Sequence, residues 1–374
     1  MSAGRVARAC AAALAATLLL GGCAGTTAGY LVRAGWEEAR ILWRRRPIDR
    51  VLAEPGLDPA VRAKLETVLA VREFGARRLG LSVGGAYGSY AEVDEGAVVQ
   101  VLSAAERLRL VPVTWWFPIV GSVAYKGYFS PEDARREAER LESRGYDTWV
   151  RGAVAFSTLG WLDDPVLSNW MKSGRVELAE LVLHELLHRT TYLPSQTDFN
   201  ESFATFAGHA GAIAFFTETE GEGAADTAEA RRRWDAEIAS SAKLGSALAR
   251  LRSLYATAEQ EGRPEAQVLD ERRAIFAEIG DPAKLNNAVL LSRKAYLDRL
   301  AWFAEVGRRT GNVRAAIEVI REASEKRARE PWEALRELAG VPAEPAAPLA
   351  PAAATGPTAP PPAPAATGAA PGAG

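Results

Sequence analysis

The sequence predicts a mainly helical α+β fold, with a small mixed or antiparallel sheet beside two helices that carry its most reactive side chains. Three observations predict it. Helical spacing with recognisable caps occupies residues 29–80, 130–143 and most of the chain beyond residue 180. β-Branched and aromatic residues reach strand density only between about residues 90 and 158. The whole chain has three histidines in 374 residues, and two of them stand four apart on an apolar helix.

The first segment, residues 1–22, reads as an export signal. Arg5 and Arg8 precede an apolar run over residues 9–20, too short to span a bilayer as a stable helix. It ends in Leu20-Gly21-Gly22-Cys23, the pattern of a bacterial lipoprotein in which Cys23 is acylated and anchors the chain. Ala24 follows rather than aspartate, which points to the outer membrane, facing the periplasm. Cys10 leaves with the signal, so no disulfide and no cysteine-bound zinc is expected in the folded part. Loss of Arg5 and Arg8 moves the net charge from −2 to −4, with 43 basic against 47 acidic residues. So near a balance argues against a nucleic-acid partner.

Residues 23–80 form an anchor and helical segment. Trp36 to Trp43 is amphipathic, Arg44-Arg45-Arg46 favours a helix end or anionic headgroups, and Asp58 starts a helix expected to run through Val71. Gly80-Leu81-Ser82-Val83-Gly84 matches the G-x-S-x-G elbow of serine hydrolases. The glycine-rich Gly85-Ala86-Tyr87-Gly88-Ser89 that follows is a poor helix start, so it reads as a loop.

Strands are expected at residues 98–102, 111–116 and 148–156. Between them Ser130 and Pro131 open a helix that Gly145 stops. The last strand leads into the histidine helix and is the candidate edge for holding an extended substrate backbone, with plain sheet core as the alternative.

In Leu181-Val182-Leu183-His184-Glu185-Leu186-Leu187-His188 the two imidazoles share one helix face and can meet at one metal ion. Glu185 lies beside them, placed to take a proton from water rather than to bind metal. Two of three histidines so spaced, with the glutamate between, is an accident expected on the order of once in a thousand. Satisfied buried histidines on a core helix are the bland alternative.

Glu201, thirteen positions after His188, is the leading third ligand. A capping box from Asp198 to Glu201 competes with it, because a glutamate folded onto the cap cannot reach a metal. A second helix starting near Asp198 and packing antiparallel across the short turn favours the ligand reading. His209 is the other contender, roughly 80° round the helix from Glu201. A third histidine six after His188 is excluded by Pro194.

His184-Glu185-Leu186-Leu187-His188, Asn200-Glu201-Ser202-Phe203-Ala204-Thr205, Trp116-Phe117-Pro118, Gly127-Tyr128-Phe129, and Ala155-Phe156-Ser157-Thr158-Leu159-Gly160-Trp161 with Asp163-Asp164-Pro165 together resemble a bacterial family of predicted zinc aminopeptidases, itself similar to the gluzincin metallopeptidases. The similarity runs from about residue 29 to about residue 323. It implies a zincin-like catalytic core over residues 81–216, His184, His188 and Glu201 as ligands of Zn2+, Glu185 as general base and a peptide as substrate. Gly208-His209-Ala210-Gly211 departs from the pattern where further acids are expected, leaving recognition of the substrate amine open. An envelope endopeptidase with the same zinc site and a non-catalytic structural lipoprotein are the alternatives.

Tyr125, Tyr128 and Tyr296 are candidates to donate a hydrogen bond to the transition-state oxyanion. Tyr296 leads, following Asn286-Asn287-Ala288 in a position that also resembles the family. Residues 217–340 form a C-terminal helical region: a loose acidic loop over 218–226, a charged helix to about 261 that could serve as a lid, helices over 284–311 and 315–328, and a short one over 331–338. Residues 341–374 hold ten of the 21 prolines and one charge, Glu344, and read as a disordered tail.

Overall fold

Local start and stop signals set the first long helix. After β1 (Arg46–Pro47) and α1 (Ile48–Leu52), α2 (Pro59–Leu79) opens where the Asp58 carboxylate accepts from the Ala60 N–H at 2.7 Å, with Pro59 in its first turn. It runs past the expected end at Val71 because apolar spacing continues through Phe74, Gly75 and Leu79, all buried. Gly80 then stops it at a left-handed φ of 73°.

The computed structural model describes residues 42–93, 99–117, 121–128, 130–152 and 163–342. The signal with Cys23, the Trp36 stretch up to residue 41, residues 153–162 and the proline-rich tail from residue 343 lie outside the described residues. The elements from Arg46 onward belong to one unit that begins at Arg44.

The fold is mainly helical α+β. Strand β3 (Gln100–Glu106) lies between β6 (Tyr125–Tyr128) and β7 (Tyr146–Gly152), antiparallel to both, so β7 is an edge strand among the described residues. A smaller mixed sheet pairs β1 antiparallel and β8 (Val166–Leu167) parallel to β2 (Ser89–Ala91). The expected strand over 111–116 is split: Pro112 makes one isolated bridge, and β4 (Trp115–Phe117) forms a hairpin with β5 (Gly121–Val123). Helix α3 (Pro131–Glu142) has the expected Ser130 cap and covers the three-stranded sheet through Ala138 and Leu141.

Helices α4 (Arg175–Thr190) and α5 (Thr197–Glu220) form the centre, with Leu178, Val182, Leu183 and Leu186 fully buried. Glu201 lies near His188 and Gly208 near Glu180, so the pair runs antiparallel. The acidic loop expected over 218–226 shrinks to residues 221–224, since α5 continues to Glu220 and α6 (Ala225–Glu261) starts immediately after it. Arginines remote in sequence neutralise those acids: Arg78 meets Glu218 at 2.7 Å, and Arg175 meets both Glu220 and Asp226 at 2.5 Å.

Beyond α7 (Glu265–Ala277), the single helix expected over 284–311 is two, α8 (Asn287–Leu297) and α9 (Leu300–Thr310), broken where Arg299 adopts a left-handed φ of 51°. Helices α10 (Val313–Lys326) and α11 (Pro331–Ala339) close the unit. No helix among the described residues is long and apolar enough to cross a membrane.

Candidate metal centre

One face of α4 carries His184 and His188 with their Nε2 atoms 3.1 Å apart. From α5, Glu201 brings Oε2 to 3.4 Å from His184 Nε2 and 3.5 Å from His188 Nε2. Donors about 2.0–2.1 Å from one tetrahedral ion lie roughly 3.3–3.4 Å apart, so this triangle has the size that a zinc-like ion requires. His184, His188 and Glu201 are the one group of three or more such donors among the described residues.

Electrostatics agree with a closely coupled set. Burial acts to raise the Glu201 carboxyl, but His188 and His184 outweigh it and hold the group well below the usual carboxylate range. For His188 burial acts to lower the imidazole, and the Glu201 charge more than offsets this. Glu185 is buried beside them, and its Oε2 has no hydrogen-bond partner among the described residues. An orphaned carboxylate oxygen is costly in a folded protein, so its position calls for a partner that the fold alone does not supply.

The residues around Glu201 hold it in place. Helix α5 starts at Thr197 after Gln196, without a side-chain cap. Asp198 is therefore not a cap: it pairs with Lys294 of α8, which also meets Asp298 at 2.7 Å. The capping-box alternative thus falls, and Glu201 is left to face the histidines. Asn200 clamps the α4–α5 turn, donating to Leu193 O at 2.8 Å and accepting from Leu193 N–H at 3.0 Å. Ser202 donates to Ala295 O at 2.9 Å and accepts from Asp298 N–H at 3.1 Å, tying α5 to the end of α8.

Gly208, in the stretch that departs from the expected pattern, has a packing role. A Cβ there would lie 2.7 Å from Glu180 O, so only glycine permits this helix approach. Gly208→Ala is expected to destabilise the chain by about 1–3 kcal/mol through overpacking, read as a lowered urea midpoint; an unchanged midpoint would show that the helices yield freely. His209 does not join the cluster. Its Nδ1 is 2.9 Å from Glu180 Oε1, and Arg233 grips the same carboxylate at 2.7–3.0 Å.

The G-x-S-x-G stretch makes no elbow. Ser82 N–H donates to Thr190 Oγ1 at 2.9 Å, and no helix follows. Its glycines make room for an ion pair at the end of α4: a Cβ at Gly84 would strike Arg189 and one at Gly85 would strike Asp163, which are 3.2 Å apart.

Of the three tyrosines singled out, Tyr296 and Tyr125 line the cleft beside Glu201, whereas Tyr128 packs with the cluster under α3. The Tyr296 ring stacks on His184 at 6.1 Å, and the Glu201 charge, with burial, pushes its hydroxyl well above the usual range. Tyr125 leaves 38% of its surface open, yet desolvation and the Glu201 charge raise it too. Two further residues escape sequence reasoning. Tyr192, whose ring is 6.4 Å from that of His188, is pushed up to about 12 by burial and Glu201. Its place four residues after His188 was a usable signal. Arg151 of β7 lines the same cleft as Tyr296, and its charge acts against the rise of that hydroxyl; no local pattern marks it.

Helix α8 is docked by the Asn286-Asn287 pair. Asn286 caps it and donates to Thr148 O at 2.8 Å. Asn287 donates to Glu106 O at 2.9 Å and accepts from Tyr255 Oη at 2.9 Å. The Asn287 N–H donates to Asp147 Oδ2 at 3.0 Å, and Arg272 meets that oxygen at 2.8 Å. This network seats Tyr296 against His184.

Two helices bringing two imidazoles, a carboxylate donor and a second, unpartnered carboxylate to one point form a candidate metal centre of the H-E-x-x-H class. The chain belongs to the family described as "Putative aminopeptidase", which matches residues 29–335. That membership supports a peptidase-like function. No curated protein and no solved structure matches the chain.

Proposed function

We propose that this protein is a zinc-dependent aminopeptidase. The donor triangle of 3.1, 3.4 and 3.5 Å beside the unpartnered Glu185 carries the reading. His184, His188 and Glu201 would hold the ion, and imidazole with carboxylate is a donor set that zinc accepts. When bound, zinc supplies an acidified water and polarisation of the scissile carbonyl. Glu185 accepts the proton of the attacking water and delivers it to the leaving amine. Tyr296 donates its hydroxyl to the developing oxyanion, held for this by its stacking on His184. Strand β7, at the edge of its sheet among the described residues, would offer main-chain groups to an extended peptide. Export and acylation at Cys23 would place the enzyme on the outer membrane, facing the periplasm.

The full-length protein, incubated with zinc and dialysed, is expected to retain one ion per chain and to hydrolyse peptides with a free amine but not their N-acetyl forms. Chelation should abolish the activity and zinc restore it. Hydrolysis of both peptide forms would make it an endopeptidase, and absence of bound metal would end the enzyme reading. Tyr296→Phe is expected to lower kcat about 10²- to 10³-fold with little change in KM; an unaltered kcat would remove Tyr296 from the mechanism.

A further inference from the structure

We infer that Arg151 receives a carboxylate of the substrate in the cleft beside the candidate metal centre. The inference rests on the peptidase reading and deepens it by naming a substrate class: peptides with a negative charge close to the scissile bond. Arg151 lines the cleft together with Glu201, Tyr125 and Tyr296. Its guanidinium lies 5.4 Å over the ring of Trp149, two residues back on the same strand face, and Trp149 packs against the core beneath α6 to α8. The side chain is thereby braced from behind. Its charge also acts on the Tyr296 hydroxyl across the same cleft.

Arg151 is the one cation among the described residues that line this cleft. The cleft acids are taken: Glu201 by the two histidines and Asp198 by Lys294. Arg272 and Arg233, by contrast, are paired with Asp147 and Glu180. Arg151 has no ion-pair partner among the described residues, and its guanidinium lies over Trp149. Guanidinium has five N–H donors and no acceptor, so Arg151 cannot take the Tyr296 proton that the oxyanion needs. Those donors form a planar fork, the shape that takes a carboxylate through two hydrogen bonds. Two sources supply such a group near the reacting bond: the C-terminus of a short peptide, or an Asp or Glu side chain.

The test uses the full-length protein with Glu185→Gln for binding and with the unmodified catalytic residues for turnover. The probes are alanylalanine, alanylalanine amide, alanylglutamate amide and alanylglutamine amide. Calorimetric binding is expected to favour a carboxylate-bearing probe over its neutral counterpart by about 10- to 100-fold, and kcat/KM to follow through KM. Preference confined to alanylalanine identifies the peptide terminus; preference for alanylglutamate amide identifies the side chain. Arg151→Gln should erase the preference, so that charged and neutral probes bind alike, and Arg151→Lys, which retains charge without the fork, should restore part of it.

Equal binding of charged and neutral probes would overturn the inference. So would an Arg151→Gln protein that melts normally, keeps the preference and loses kcat equally on all four, because that outcome makes Arg151 a positioning residue for Tyr296 and no carboxylate site. Carboxylate-selective binding without any turnover would leave Arg151 as assigned and remove the peptidase reading instead.

Discussion

Glu185→Gln is expected to lower kcat for peptide hydrolysis by about 10²- to 10⁴-fold, the range that a positioned proton carrier supplies, while the chain keeps its metal and its stability. The amide matches the carboxylate in shape but cannot take a proton from water. Glu185 Oε2 has no hydrogen-bond partner among the described residues, so the exchange removes no protein contact at that atom. Three readouts separate the possibilities: zinc content after dialysis, the thermal midpoint and kcat. Unaltered kcat would assign the base to another group. Loss of zinc at a normal midpoint would make Glu185 a ligand.

Glu201→Ala is expected to abolish both zinc retention and hydrolysis. It removes the one donor that α5 contributes to the triangle and leaves two imidazoles four apart on α4. Loss of a group that merely orients a ligand costs about 10- to 100-fold in metal affinity, so loss of a donor itself should exceed 10²-fold. A zinc titration competed by a chromophoric chelator measures this directly. Glu201→Ala with undiminished zinc affinity would overturn the donor set. The neighbouring Asn200 and Ser202 bonds to the turn and to α8 remain, so the variant is expected to fold.

Much of the fold was legible where signals are local. The Asp58 start of α2, the Ser130 cap and the spacing of His184 and His188 all act over a few residues, and the structure has them where the pattern suggests. Errors arose where a distant partner decided. Glu218, Glu220 and Asp226 looked like a solvated acidic loop until Arg78 and Arg175 neutralised them. The helix over 284–311 looked continuous because nothing nearby announces the left-handed Arg299. The break sits where Asp298 N–H meets Ser202 of α5.

The candidate site divides in the same way. The two imidazoles and Glu185 needed only helical periodicity. Glu201 was ambiguous, because an acid three residues after Asp198 suits a cap and a ligand equally well; Lys294, 96 residues from Asp198, removes the ambiguity. Tyr296 was one of three tyrosines until the Asn286-Asn287 network docked α8 against the sheet. Arg151 was invisible, since its place in the cleft depends on the pairing of β7 with β3 and on a helix more than a hundred residues away.

By itself, then, the sequence determined the helical α+β class, the histidine pair and the acid beside it, because spacing along one helix is a property of neighbouring residues. Only the tertiary structure set Glu201 beside the two imidazoles, paired His209 with Glu180 and put Tyr296 and Arg151 in one cleft. Those choices are made by ion pairs and close helix contacts between segments whose separation along the chain carries no geometric information until they pack.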